Sequence, residues 1–207
     1  MYVGNGVRAL REAGRKISRG RAAVLALTGM LSVVALSLVL HKQPWGLVQC
    51  WPDCQSADLS SSDLSHVYLS GCDGNPDLSY ANLTNADLSH AFLGLCGLRL
   101  RGAVMQSADL SHATLDGVDL RGADLRGANF EGATLYMVDL SGADLRGAQL
   151  SFDTEGRVLF SEADLRGADL QGATNLHQVY WDGARYDSST KWPQGFDPTD
   201  SGAMLQE

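Results

Sequence analysis

The chain is poor in the signatures of chemistry. Its 207 residues contain no G-x-S-x-G nucleophile elbow, no glycine-rich phosphate-cradling loop and no H-E-x-x-H zinc pair. That argues against an enzyme. Positive charge is scarce where a nucleic-acid surface would need it. After residue 40, Lys42 is the only base until Arg99, and residues 43–207 hold 9 basic against 23 acidic side chains. This part of the chain does not read as a nucleic-acid binder. Cysteine is limited to Cys50, Cys54, Cys72 and Cys96. Aromatic residues make up 7%, and Tyr180, Trp181, Tyr186, Trp192 and Phe196 gather near the C-terminus.

What is abundant is a five-residue repeat. From Ala123 the chain reads A-D-L-R-G, A-N-F-E-G, A-T-L-Y-M, V-D-L-S-G, A-D-L-R-G, A-Q-L-S-F. The large residue is the centre of each unit. Centres fall at Leu59, Leu64 and Leu69, then from Leu78 to Leu93, then at every fifth residue from Leu100 to Leu170. Of these 22 slots, 18 hold Leu; Met105, Phe130 and Phe160 make 21 apolar, and Glu155 is the exception. Ala stands two residues before the centre in 14 slots. A period of five matches neither strand alternation nor the helical turn. It suits a coil in which each unit forms one side, buries its centre and its small residue, and bends at its end, where Gly is frequent. Such persistence marks a repeat architecture.

The pattern resembles the pentapeptide-repeat family over roughly residues 57–172. The resemblance implies an all-β solenoid, a right-handed quadrilateral β-helix with four units per coil. A core packed with Leu and Ala leaves no room for an internal pocket, and no cofactor is implied. Relatives often pair, which admits a homodimer here. Some are acidic rods that mimic DNA and protect a topoisomerase, which supplies one alternative function.

Four units per coil set the vertical neighbours. The first face stacks Leu64, Leu88, Leu110, Phe130, Leu150 and Leu170; the second stacks Leu69, Leu93, Leu115, Leu135 and Glu155. The third stacks Leu78, Leu100, Leu120, Leu140 and Phe160, and the fourth Leu59, Leu83, Met105, Leu125, Leu145 and Leu165. Four extra residues after Leu69 and two after Leu93 both fall between the second and third faces. This predicts a bulged edge there, with Glu155 turned outward because a buried unpaired carboxylate is costly. The bulges are either tolerated insertions or places for specific contacts. Asp124, Asp144 and Asp164, with Arg126, Arg146 and Arg166, form parallel ladders one coil apart.

The motif D-L-S-H occurs at Asp63–His66, Asp87–His90 and Asp109–His112, so His66, His90 and His112 stack on one corner. Three such imidazoles suit a transition metal or a pH-sensitive patch, which is a second alternative function. A vertical column converges poorly on one ion, however, and duplication of a turn residue explains the motif equally well. The same register brings Cys72 and Cys96 into adjacent coils, within disulfide reach. Cys50 and Cys54 are candidates for a local pair. Alternatively, all four stand in for Ala as small buried residues.

Residues 22–40 form an uncharged apolar run, long enough as a helix of about 28 Å to cross a bilayer. Residues 1–42 hold seven basic side chains and one acidic. The positive-inside rule therefore puts the N-terminus in the cytoplasm and the repeats outside. The run is long for a signal peptide and lacks a clean cleavage site, which favours an uncleaved anchor. Val3, Val7, Leu10, Gly14 and Ile17 follow a helical period, so residues 1–21 are either an amphipathic surface helix or a basic topology signal.

The expected organisation is a basic cytoplasmic segment (1–21), a transmembrane helix (22–40), a linker and N-terminal cap (41–56), the β-helix (57–172) and a C-terminal cap (173–207) anchored by Trp192 and Phe196. The expected function is non-enzymatic: a membrane-anchored, extracytoplasmic scaffold that binds a protein or envelope partner, held by one helix and touching no nucleic acid.

Overall fold

The computed structural model describes residues 55–69, 77–94 and 97–206. Segments 1–21 and 22–40, almost all of 41–56 and the four cysteines lie outside the described residues. Among the described residues, no helix is long and apolar enough to cross a membrane.

Each unit is extended for two or three residues and then turns. In a typical unit, the Ala123 N–H closes the corner on the Leu120 carbonyl at 3.1 Å. The Leu125 N–H donates to the Asp144 carbonyl in the next coil at 2.8 Å, and the Asp124 N–H to the Ala103 carbonyl in the previous one at 2.9 Å. Backbone polar groups are thus satisfied between coils, as burial demands. The second face carries the largest sheet: β1 (Tyr68–Leu69), β2 (Phe92–Gly94), β3 (Thr114–Asp116), β4 (Thr134–Tyr136) and β5 (Asp153–Thr154), all parallel and in chain order. Single parallel bridges such as Asp63↔Asp87, Asp124↔Asp144 and Asp119↔Asp139 form the other faces. The result is an all-β solenoid of about six turns. The Leu and Ala columns are buried along its axis, with Met105, Phe130 and Phe160 filling Leu positions.

The pairing Leu69↔Leu93, Leu93↔Leu115 and Leu115↔Leu135 absorbs both insertions at the edge between the second and third faces. Gly94 ends β2 beside the second of them. Its φ is +142°, and a Cβ there would lie 2.0 Å from the Asp116 carbonyl oxygen, so no side chain fits.

The structure departs from simple counting in two places. The first concerns Glu155, which is exposed, as expected, but the second-face slot at that level belongs to Thr154, paired with Leu135. One corner residue is missing before Phe152 and one is gained at Glu155–Gly156, so the coil keeps its length. Phe152 enters the Ala column and Thr154 the Leu column, a large-for-small exchange that holds core volume. The buried Thr154 hydroxyl donates to the Asn175 carbonyl at 3.0 Å.

The second departure lies at the C-terminal end. Parallel pairing continues beyond residue 172. β6 (Val158–Leu159) pairs with β7 (Val179–Tyr180), and β8 (Arg185–Tyr186) pairs with β9 (Met204–Leu205). Leu176, Trp181 and Tyr186 are buried in a further coil. Trp181 stacks on Phe160 with centroids 5.0 Å apart. Trp192 and Phe196 are half-buried above it, stacked on each other at 5.2 Å.

Candidate functional site

Among the described residues, buried Leu, Ala and Phe side chains fill the axis of the solenoid and the charged groups lie on its outer surface. Three features stand out there.

The first is the arginine–aspartate strip. The units A-D-L-R-G put Asp before the buried Leu and Arg after it, so both side chains point outward on the same face. Arg126 grips Asp124 with two hydrogen bonds, at 2.8 and 2.7 Å, and its Nε lies 3.7 Å from Asp144 in the next coil. Arg146 repeats this with Asp144 and Asp164, and Arg121 with Asp119 and Asp139. Asp164 is the most enclosed of these carboxylates and faces Arg166, Arg146 and Arg185. Hydrogen bonds from Arg121, Arg126 and Arg166 hold Asp119, Asp124 and Asp164 below the usual carboxylate range. The strip neutralises itself.

The second is the histidine column. His66, His90 and His112 occupy one corner in successive coils, each in the left-handed conformation with φ near 56–57°. Their rings stack with centroids 4.9 Å apart at both steps and planes only 6° and 12° from parallel. All three are exposed. A Cβ on Gly132, in the next coil, would lie 2.6 Å from His112 Nδ1, so that glycine leaves space for the ring. As they stand, parallel rings do not aim at a common point. Among the described residues, no group of three or more His, Cys, Asp or Glu is arranged to hold a metal.

The third lies on the irregular edge. Tyr136 and Met137 are 40% and 53% exposed. The Tyr136 ring lies over Gly156 of the next coil, where a Cβ would come within 2.7 Å of it. The Arg157 guanidinium sits 4.8 Å from the centroid of Tyr180, itself 48% exposed. This places Tyr, Met and Arg, residue types that interfaces favour, along one edge. Sequence reasoning pointed to the edge but missed these side chains. The signal was the unit A-T-L-Y-M, whose last two residues are large where the neighbouring units carry E-G and S-G.

Cys50, Cys54, Cys72 and Cys96 lie outside the described residues. Trp192 and Phe196 cover the end of the stack, with Trp181 between 5.4 and 5.7 Å from each.

Pentapeptide repeats match the chain in eight copies, over residues 53–94, 77–122 and 123–152. No curated protein matches significantly. Among solved structures, alr5209, a pentapeptide repeat protein from Nostoc Pcc 7120, is 33% identical over 58% of this chain and 84% of its own, with a TM-score of 0.23. Rfr23 from the cyanobacterium Cyanothece 51142 is also 33% identical, over 56% of this chain and 64% of its own, with a TM-score of 0.23. HetL from Nostoc sp. strain PCC 7120, involved in heterocyst differentiation regulation, is 23% identical over 75% of this chain and 87% of its own, with a TM-score of 0.25. These whole-chain superpositions are poor, so kinship rests on the repeat itself. By that repeat, the chain belongs to the pentapeptide-repeat family.

Proposed function

We propose that the chain is a non-enzymatic scaffold, anchored in a membrane by residues 22–40, that presents its solenoid outside the cytoplasm to a protein or envelope partner. The observation that carries this reading is the exposed Tyr136, Met137, Arg157 and Tyr180 set on the edge where the repeats slip. Aromatic residues, Met and Arg dominate the centres of protein interfaces. The DNA-mimic alternative needs a cytoplasmic solenoid and a strongly anionic surface, whereas the Asp ladders here are bridged by Arg. An extracytoplasmic solenoid also places Cys72 and Cys96 where a disulfide persists.

The test uses the full chain in native membranes. A photocrosslinking residue at Met137 should trap one discrete partner, and the same residue at Gln171, exposed on a regular face, should not. A reporter fused after Glu207 should be active outside the cytoplasm. Equal trapping from both positions, or a cytoplasmic reporter signal, overturns the reading. Non-reducing mass spectrometry that finds Cys72 and Cys96 as free thiols removes the disulfide.

A further inference from the structure

We propose that the histidine column holds one copper(II) ion between two stacked imidazoles, with His90 present in either pairing. The site does not depend on what the irregular edge binds. Three observations support it. No ring nitrogen of His66, His90 or His112 has a hydrogen-bond partner among the described residues, so all are available. The rings are exposed and stand on equivalent backbones, so their Cβ atoms are in register from coil to coil. Asp87 and Asp109 on the adjoining first face accept neutral donors, the Ser89 and Ser111 N–H groups and the Asn129 amide, and add negative potential that favours a dication.

Geometry decides how many rings can share an ion. Imidazole nitrogens bind a divalent ion at about 2.0–2.1 Å, so two ligands on one ion lie at most about 4.2 Å apart. Rings 4.9 Å apart meet that limit by tilting toward each other about their own side-chain bonds. His66 and His112 are two stacking steps apart, about 10 Å, and cannot share an ion. His90 can therefore pair with His66 or with His112, but all three cannot act together. Two imidazoles completed by water suit tetragonal copper(II), which also leads the affinity order of the first-row divalent ions.

Asn is the replacement of choice. Asn85 and Asn175 already occupy positive-φ positions with φ 55° and 56°, so the corner backbone accepts it. The full chain, solubilised in detergent with its thiols alkylated, is titrated with copper(II) by calorimetry, and nitrogen ligands are counted by electron paramagnetic resonance. The wild type should show a two-nitrogen site. His90→Asn should weaken binding at least tenfold and abolish the two-nitrogen signal. His66→Asn or His112→Asn should weaken it only about twofold, the statistical cost of losing one of two pairings, with two nitrogens retained. Binding unchanged in His90→Asn overturns the proposal. So does a loss in His66→Asn as large as in His90→Asn, or the absence of a two-nitrogen signal in the wild type.

Discussion

The two halves of the solenoid share one backbone but treat its corners and outer faces differently. In the coils up to residue 112, the left-handed corner positions hold mostly Ser56, Ser61, His66, Tyr80, Asn85, His90, Ser107 and His112. Beyond residue 112 they are mostly glycine, with Met137, Glu162 and Asn175 as exceptions. A non-glycine residue in that conformation costs about 1 kcal/mol or more. The outer faces differ in the same sense. Asp87 and Asp109 accept the backbone N–H groups of Ser89 and Ser111, whereas Asp124, Asp144 and Asp164 are each gripped by arginine. The core differs too: Phe130, Phe152, Phe160 and Trp181 thicken the second half. One half is built for stability and the other spends some of it on side chains, including the histidine column, that the fold does not require.

The comparison breaks most easily at Gly94, where the first half approaches the limit of what a backbone allows. Gly94→Ala drives a Cβ into the Asp116 carbonyl and should cost about 3 kcal/mol or more, read as a lower midpoint of chemical denaturation. A neutral Gly94→Ala would mean that β2 and β3 do not pair as described. A smaller loss is expected from the second half. Asp164→Ala removes the partner of three guanidinium groups and should cost about 2 kcal/mol, against about 0.5–1 kcal/mol for Asp87→Ala. Equal losses would mean that the arginine strip adds nothing. Met137→Gly should move the other way. It relieves the backbone at φ 50° and should stabilise by about 1 kcal/mol, while reducing partner crosslinking from a photoreactive residue placed instead at the exposed Tyr180. A gain in stability with binding intact would separate that edge from partner contact.

The sequence period made most of the architecture legible. The buried column, the two insertions and the stacking of His66, His90 and His112 all follow from counting in fives and stacking in twenties, because the register is fixed wherever Leu must face inward. Counting missed what preserves coil length while changing its contents. At Phe152–Thr154, one residue lost at a corner is restored at the next, so the fixed period assigned the slot to Glu155 instead of Thr154. Past Leu170, a step of six hides a resumed step of five through Leu176, Trp181 and Tyr186, with Ala184 in the usual place before Tyr186. Aromatic centres there read as a lid when judged by composition, although they fill the core of another coil. The edge patch was hidden because outward positions carry no periodic constraint.

Acid should narrow the difference between the halves, and this is the mildest of the expected effects. Among the described residues, the carboxylates held low lie mainly in the second half: Asp119, Asp124, Asp153, Asp164, Asp169, Asp187 and Asp197, against Asp58 and Asp77 in the first. The lowest is Asp187, lowered to about 2 by the Ser189 hydroxyl and by N–H donors from Gly167 and Ser189. A carboxyl lower in the folded state than in the unfolded chain contributes stability that is fully present above the unfolded value of 3.8 and is lost as pH falls through the folded value. Hydrogen-exchange protection of the last coils should therefore exceed that of the first at neutral pH. The gap should close between about pH 4 and pH 2 as Asp187 and its neighbours take up protons. Asp187→Asn should remove part of that pH dependence, since the neutral amide keeps an acceptor oxygen but no charge to lose. A protection gap that survives unchanged to pH 2 would assign the stability of the second half to its aromatic core alone.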